Sequence, residues 1–192
     1  MAGTEPLDIA TRDALLDIAR QAILSHVQRG GLPEFELPQG PLHDEVGAFV
    51  SLHLDGELRG CIGRLEGEGP LYQTVAQMAV AAATEDARFE PLPAADLRHT
   101  EIEVSVLGPL RPIKADSIEV GTHGLYVVQG RFRSVLLPQV PVQFGWSREE
   151  FLVQGCRKAG LGDDAWKDTD TMLLSFTAQV FGDADAFEEE GD

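Results

Sequence analysis

The segment Arg59-Gly-Cys-Ile-Gly63 holds the residues of this chain that are best suited to do chemistry. Its thiol, Cys61, lies two positions from the guanidinium of Arg59. A thiol reacts as the thiolate, and a neighbouring cation favours that form. Because an arginine stays protonated in proteins, Arg59 can favour the thiolate and can also bind an anion. The segment therefore predicts a thiol-dependent site for a small anionic molecule.

Two further residues are candidates for proton transfer at this site. His123 lies in the loop Gly121-Thr-His-Gly124, which can present a ring to a cleft. Glu103 lies on the polar side of a predicted strand, where it can orient His123 or act as an acid or base. Other interpretations stay open. Cys61 can be a small buried residue of a sheet, Arg59 and Glu103 can form ion pairs, and His123 can stabilise its own loop.

A hairpin is predicted to position the reactive segment. The residues Val46–Leu54 alternate as a strand does, and Asp55-Gly56 is a strong signal for a two-residue turn. The returning strand begins at Glu57 and carries both Arg59 and Cys61. These two side chains are expected on the same face of the sheet.

The two-residue turn also predicts which residues face one another across the hairpin. The predicted pairs are Leu54–Glu57, Leu52–Arg59 and Val50–Cys61. His53 then points to the opposite face, beside Leu58. This makes His53 a weaker candidate for the base of Cys61, unless a bulge at Gly60 changes the register.

The other elements follow from periodicity and from capping signals. Helices are predicted over Leu7–Val27, from Leu71 to Ala82, and from the capping box Ser147-Arg-Glu-Glu150 to Ala159 with Gly160 as its cap. Further strands are predicted over Glu101–Leu107, up to Val128, over Arg131–Leu137 and over Thr171–Phe181. Hairpins outnumber strand-helix-strand units, so we expect an α+β fold with about three main helices and one mixed, mostly antiparallel sheet. Cys156, on the third helix, is expected in the core.

The acidic composition limits which partners this protein can have. The 192 residues carry a net charge of -17, which repels nucleic acid, and no basic patch offsets it. The charge is explained by solubility, by adaptation to a salty cytoplasm or by an acidic face that docks a basic partner. Residues 183–192 contribute six acids and no base, and we expect them to form a flexible tail.

Localisation and cofactors are predicted mainly from absent signals. No apolar run reaches the ~18 residues of a membrane span, and the early Glu5 and Asp8 do not fit a signal peptide. We therefore expect a cytoplasmic protein in which Cys61 and Cys156 are reduced. Histidines and cysteines lack the short spacings of zinc ligands, and phosphate-loop, dinucleotide and nucleophile-elbow motifs are absent. No metal and no cofactor are predicted.

Six short motifs give the chain a resemblance to a known family. They are, in order, Leu58-Arg-Gly-Cys-Ile-Gly63, Asp86-Ala-Arg-Phe89 with Pro91-Leu92, Glu119-Val-Gly-Thr-His-Gly124, Leu137-Pro-Gln-Val140, Gly145-Trp146 and Cys156-Arg-Lys-Ala-Gly160. Together they resemble the AMMECR domain family, whose prokaryotic members are called AmmeMemoRadiSam system protein A. The resemblance covers nearly the whole chain.

The resemblance implies a compact α+β domain over residues 1–182, with a main and a smaller lobe and a cleft beside the Arg-Gly-Cys-Ile-Gly segment. It implies no reaction. Within that cleft we assign six residues to substrate binding: Arg59, Gly60, Gly63, Asp86, Arg88 and Gln139. The alternative for the Asp86 loop is a helix exit that Phe89 and Leu92 anchor.

Two functions stay open at this point. The protein is either an enzyme that acts through Cys61, or a non-catalytic adaptor. The family name reflects genes found together with a Memo-like protein and a radical SAM protein, so the resemblance implies these two proteins as partners.

Overall fold

The computed structural model describes residues 5–183, which fall into two compact units. The first unit runs to Leu107 and resumes at Gln179, and the second unit is Gly108–Ala178. In this part of the chain, four α-helices accompany two four-stranded sheets. The α+β class is confirmed, but the strands form two sheets where the sequence predicts one.

The first helix, α1, spans Ile9–Arg29 and lies close to its predicted limits. Asp8 caps its start by accepting a hydrogen bond from the N–H of Thr11 at 2.8 Å, and Gly30 ends it in the left-handed conformation. Its buried face consists of the residues that the helical spacing predicts, namely Leu15, Ile18, Ala19, Ala22 and Ile23.

The sheet of the first unit contains β1 (Ala48–Leu54), β2 (Glu57–Arg64), β3 (Thr100–Leu107) and β8 (Ala178–Gly182), in the order β2-β1-β3-β8. The strand β1 runs antiparallel to both β2 and β3. The Ala-rich helix α2, Leu71–Thr84, packs on β1, on β2 and on α1. Small side chains let this helix approach the sheet closely, so the core lies between the two helices and one face of the sheet.

The register of the hairpin differs from the prediction beyond its turn. Asp55 and Gly56 both have positive φ, and Leu54 pairs with Glu57 as expected. Arg59, however, is the extra residue of a bulge. The following pairs are Leu52–Gly60, Ser51–Cys61 and Val50–Ile62, so the predicted pairs Leu52–Arg59 and Val50–Cys61 are wrong.

The close approach of α2 explains why position 60, which faces the helix, is a glycine. A Cβ at Gly60 would overlap the carbonyl oxygen of Ala82, so this position tolerates no side chain. With Gly60 turned toward α2, Cys61 lies on the opposite face of the sheet, together with Ser51. The bulge at Arg59 thus sets which face carries the thiol.

The second unit is built around its own sheet, in the order β4-β7-β5-β6. Its elements are β4 (Arg111–Pro112), β5 (Gly124–Gln129), β6 (Phe132–Leu136), α3 (Gln139–Gln143), α4 (Arg148–Lys158) and β7 (Met172–Phe176). The predicted capping box between Ser147 and Glu150 is present. The C-terminal cap is Ala159, one position earlier than predicted, and Gly160 follows it with a φ of 80°.

Cys156 lies in the core of the second unit, as predicted. Its exposed fraction is 0%, and it packs with Phe151 and Leu152 of α4 and with Leu125 of β5. Burial raises the pKa of this thiol above its ordinary value. Cys156 is therefore poorly suited to react, and it serves as an internal reference for Cys61.

The predicted strand Thr171–Phe181 is wrong as a single element. It consists of β7 in the second unit and β8 in the first unit, which are interrupted at the exposed Thr177. Alternation does not report a change of sheet, because both halves keep a period of two. Met172 and Val180 occupy apolar positions of this alternation, yet they are 50% and 37% exposed.

The flexible tail is predicted to begin at Asp183, but this residue is held in place by hydrogen bonds. The carboxylate of Asp183 accepts hydrogen bonds from the N–H of Ile102, at 2.8 Å, and from the guanidinium of Arg20. Both partners belong to the first unit, so Asp183 is anchored there. Residues 184–192 lie outside the described part of the chain.

Among residues 5–183, no helix has the length and apolar character needed to cross a bilayer.

We expect Gly60→Ala to lower the free energy of unfolding by about 2–3 kcal/mol, because backbone must move to admit the methyl group. The matched control is Gly31→Ala, where a Cβ would have no atom within 4 Å. Urea denaturation measures both variants. If the two substitutions cost the same, α2 does not require a glycine at position 60.

Candidate functional site

The thiol of Cys61 belongs to a polar row that crosses three strands. Ser51 on β1 pairs with Cys61 on one side and with Glu103 of β3 on the other. The hydroxyl of Ser51 donates a hydrogen bond to Cys61 Sγ at 3.2 Å. Cys61 is half-buried, whereas Ser51 is only 6% exposed. Such a hydroxyl stabilises the thiolate more than the thiol, because hydrogen bonds to ionised acceptors are stronger.

Asp86 fixes the loop that follows α2 against the backbone of the reactive segment. Its carboxylate accepts hydrogen bonds from the N–H of Cys61 at 2.9 Å and from the N–H of Arg88 at 3.2 Å. It also pairs with the guanidinium of Arg88 through two contacts, Nε to Oδ1 at 2.9 Å and Nη2 to Oδ2 at 2.6 Å. The side chain of Asp86 is 5% exposed, so this carboxylate is a nearly buried charge with several donors.

The electrostatics of this pair extend to the thiol. The hydrogen bonds from Arg88 hold the pKa of Asp86 far below its ordinary value against the opposing effect of burial, and those from the backbone of Cys61 and Arg88 add to this. The pKa of Arg88 is raised, first by its hydrogen bonds to Asp86, then by the charge of Asp86 and by that of the Cys61 thiolate. The guanidinium of Arg88 also reaches the segment directly, since its Nη2 lies 3.4 Å from the carbonyl oxygen of Cys61.

Two guanidinium groups meet the ring of Phe89. The Cζ atoms of Arg59 and Arg88 lie 5.8 Å and 5.3 Å from its centroid, which is the range of cation–π contacts. The ion pairs that the sequence leaves open for Arg59 do not occur within residues 5–183. The charge of Arg59 is therefore available to an anion, whereas that of Arg88 is partly neutralised by Asp86.

The glycines of the segment serve packing. Gly60 contacts the end of α2, as described above, and a Cβ at Gly63 would overlap the ring of Phe49, its partner on β1. Both positions therefore require glycine whether or not a ligand binds. A direct role of Gly60 and Gly63 in substrate binding stays a prediction.

His123 and Gln139 belong to the second unit. The N–H of Glu119 donates a hydrogen bond to His123 Nδ1 at 3.1 Å, and the N–H of His123 donates to the carbonyl of Glu119 at 2.9 Å. His123 thus stabilises its own loop, as one of the interpretations from sequence holds. Gln139 is the first residue of α3. The catalytic role of His123 and the binding role of Gln139 stay predictions.

The prediction that His53 points away from Cys61 is wrong. Because Ser51 pairs with Cys61, and because residues 51 and 53 of a strand share a face, His53 lies on the face that carries the thiol. It pairs with Leu58 on β2 and with Glu101 on β3. The reason is the bulge at Arg59, one position before Gly60, where the sequence leaves a bulge open as an alternative.

Ser51 and Phe89 are the residues of this site that the sequence does not predict. Ser51 lies on the wrong face in the unbulged register, and Phe89 is explained there as an apolar anchor. The signal for Ser51 is Gly60, since a glycine inside a strand often marks a bulge or a close approach. In residues 5–183, no cluster of three or more histidine, cysteine, aspartate or glutamate side chains could hold a metal ion.

Comparison with known proteins gives consistent matches along the chain. The model of the family described as AMMECR1 matches residues 16–181. A protein of Methanopyrus kandleri is 40% identical over 187 residues, which cover 92% of this chain and 90% of that protein. A protein of Methanothermobacter thermautotrophicus is 40% identical over 186 residues, with 92% and 96% covered.

A solved structure extends this similarity to the fold. An uncharacterised protein from Pyrococcus horikoshii superposes with a TM-score of 0.84 at 38% identity, covering 88% of this chain and 89% of that one. The motifs that carry the resemblance in the sequence lie within the matched residues.

We expect Asp86→Asn to lower the free energy of unfolding by about 2 kcal/mol at pH 7, because an amide has no charge to pair with Arg88. The folded pKa of Asp86 lies below its unfolded value, so the stabilisation is fully present above pH 4. It is lost as the pH falls below 4 toward the folded pKa, and the difference between variant and wild type should shrink there. Urea denaturation between pH 7 and pH 3 measures this.

Asp163→Asn is the matched control for this substitution. Asp163 makes the same two-contact pair with Arg157, at 2.7 Å and 2.6 Å, but both side chains are more than half exposed. Water screens this pair, so we expect little change in stability. Equal effects of the two substitutions would show that burial of Asp86 is unimportant.

Proposed function

Because the chain belongs to the AMMECR1 family, we propose a function for it from the residues around its Arg-Gly-Cys-Ile-Gly segment. The protein binds a small anionic molecule beside this segment and acts on it through the thiol of Cys61. Arg59 attracts the anion, Ser51 and Arg88 favour the thiolate, and Asp86 holds the backbone of Cys61 in place.

One observation carries the proposal: the thiol of Cys61 accepts a hydrogen bond from Ser51 at 3.2 Å in the electrostatic field of Arg88. A thiol that served only as an apolar core residue would have no need of a hydroxyl donor and a nearby cation. Cys156 is the contrasting case, since it is buried among apolar side chains.

The groups around the thiol have separate roles in such a reaction. The thiolate sulfur supplies the electron pair that adds to a carbonyl carbon of the anion; the C=O π bond breaks, and its electron pair moves to the oxygen, which takes up the proton that the thiol released. Ser51 keeps its proton and only donates a hydrogen bond. Glu103, opposite Ser51 on β3, is the proposed acceptor of the thiol proton. His53 lies on the same face of the sheet and is a second candidate in the first unit for the residue that accepts the thiol proton.

Alkylation with a neutral and an anionic reagent tests this proposal. We expect Cys61 to react with iodoacetamide at least ~10-fold faster than Cys156, because Cys156 is buried. We also expect Arg59→Gln to lower the iodoacetate-to-iodoacetamide rate ratio at Cys61 about fivefold, since Arg59 attracts only the anionic reagent. Stopped labelling followed by mass spectrometry of the peptides gives each rate.

Arg64→Gln is the matched control, because it removes the same charge from the same strand on the face toward α2. It should leave the ratio unchanged. Ser51→Ala should slow the reaction with iodoacetamide at pH 7 but not at pH 10, where the thiol ionises without help. Equally slow labelling of both cysteines, or an unaltered ratio in Arg59→Gln, would contradict the proposal.

A second candidate function, that of an adaptor, is favoured by exposed aromatic surface in the second unit. Phe144 is 67% exposed and stacks on Trp146 with ring centroids 5.0 Å apart, and Val142 is 59% exposed. Exposed aromatic side chains of this kind often anchor protein partners. The partners proposed for this function are the Memo-like and radical SAM proteins that the family resemblance implies.

Co-purification with these two proteins tests the adaptor function. Phe144→Ser should weaken a complex at least ~10-fold by removing an aromatic anchor, whereas Cys61→Ala should leave the complex intact. Met172→Ser, at another exposed apolar side chain of the second unit, is the control. A failure to form a complex at any salt concentration would contradict this function and would leave the thiol proposal unaffected.

A further inference from the structure

A second cavity lies in the first unit and shares no residue with the Cys61 site. It has a volume of about 410 Å³ and lies between the extended segment 32–36 and the outer side of α2. Its lining residues are Leu32, Pro33, Glu34, Phe35, Glu36, Tyr72, Gln73, Ala76 and Gln77. This volume suits a small ligand or a single side chain.

Two aromatic rings form part of the wall of this cavity. Phe35 and Tyr72 meet edge to face, with their centroids 6.3 Å apart and their planes at 74°. Tyr72 is also held by the ring of His43, whose centroid is 5.4 Å away. The ring of Tyr72 is thus fixed from two sides. The face of an aromatic ring carries partial negative charge and attracts cations.

The charges of the cavity all have one sign. Glu34 and Glu36 line it, and both side chains are exposed. Neither forms an ion pair with any residue between 5 and 183. The lining contains no lysine or arginine, so its remaining polar groups are neutral amides and the hydroxyl of Tyr72. The chain as a whole carries -17, which adds a long-range attraction for cations.

We propose that this cavity binds an alkylammonium group. The apolar stem lies against Leu32, Pro33 and Ala76, and the charged head lies between the aromatic rings and the carboxylates of Glu34 and Glu36. The two carboxylates would repel an anion, and a neutral apolar group would have no charge to pair with them. This site is independent of the function proposed for Cys61.

The test is a titration with cadaverine, a free diamine, and with the peptide Gly-Lys-Gly, followed by NMR. We expect the side-chain amides of Gln73 and Gln77 to shift, and Nε-acetylated Gly-Lys-Gly to cause no shift. Glu34→Gln/Glu36→Gln should weaken binding about fivefold, because it removes both carboxylates. Tyr72→Leu, which keeps an apolar side chain but removes the π face, should weaken it about threefold.

Glu57→Gln/Glu101→Gln is the matched control. It removes the same charge from exposed positions at the hairpin end of the first unit, and it should leave the affinity unchanged. Binding of cadaverine alone identifies a free amine as the ligand, and binding of the peptide alone identifies a lysine of a partner; either result supports the site. No binding of either probe, or equal effects of the two double variants, would overturn it.

Discussion

The carboxylate of Asp86 is the constraint on which the arrangement around Cys61 depends. It joins two pieces of the chain: the loop after α2, where it also binds the guanidinium of Arg88, and the backbone of β2 at Cys61. A nearly buried carboxylate is costly to desolvate, so it remains ionised only because these donors surround it. Without it, the loop would lose its hydrogen bond from the N–H of Cys61, and Arg88 would lose the carboxylate that holds its guanidinium in place.

Most of the fold follows from local signals in the sequence. The buried face of α1, the helix α2, the turn at Asp55-Gly56 and the capping box at Ser147 all depend on residues near one another in the chain. The division of Thr171–Phe181 between two sheets does not follow from such signals. Which sheet a strand joins is decided by distant partners, and alternation carries no information about them.

The site shows the same limit more sharply. The sequence singles out Cys61, Arg59, Asp86 and Arg88. In the structure, Asp86 contacts Cys61 and Arg88, and the ring of Phe89 contacts both Arg88 and Arg59. The sequence leaves the bulge only as an alternative. The close approach of α2 to Gly60, which leaves no room for a side chain, involves Ala82, more than twenty positions away. One extra residue turns every later side chain of β2 to the other face, so the bulge changes the partner of the thiol from Val50 to Ser51.

The position of β8 has a consequence for the order in which the first unit can be completed. Its sheet places β8 beside β3, yet the whole second unit separates these two strands in the chain. On the ribosome, β3 is therefore made long before its outer neighbour exists, and one of its edges stays open during that time. Exposed strand edges pair readily with other chains. The bond between the N–H of Gly108 and the carbonyl of Thr177, at 2.8 Å, brings the two ends of the second unit together and delivers β8 to that edge.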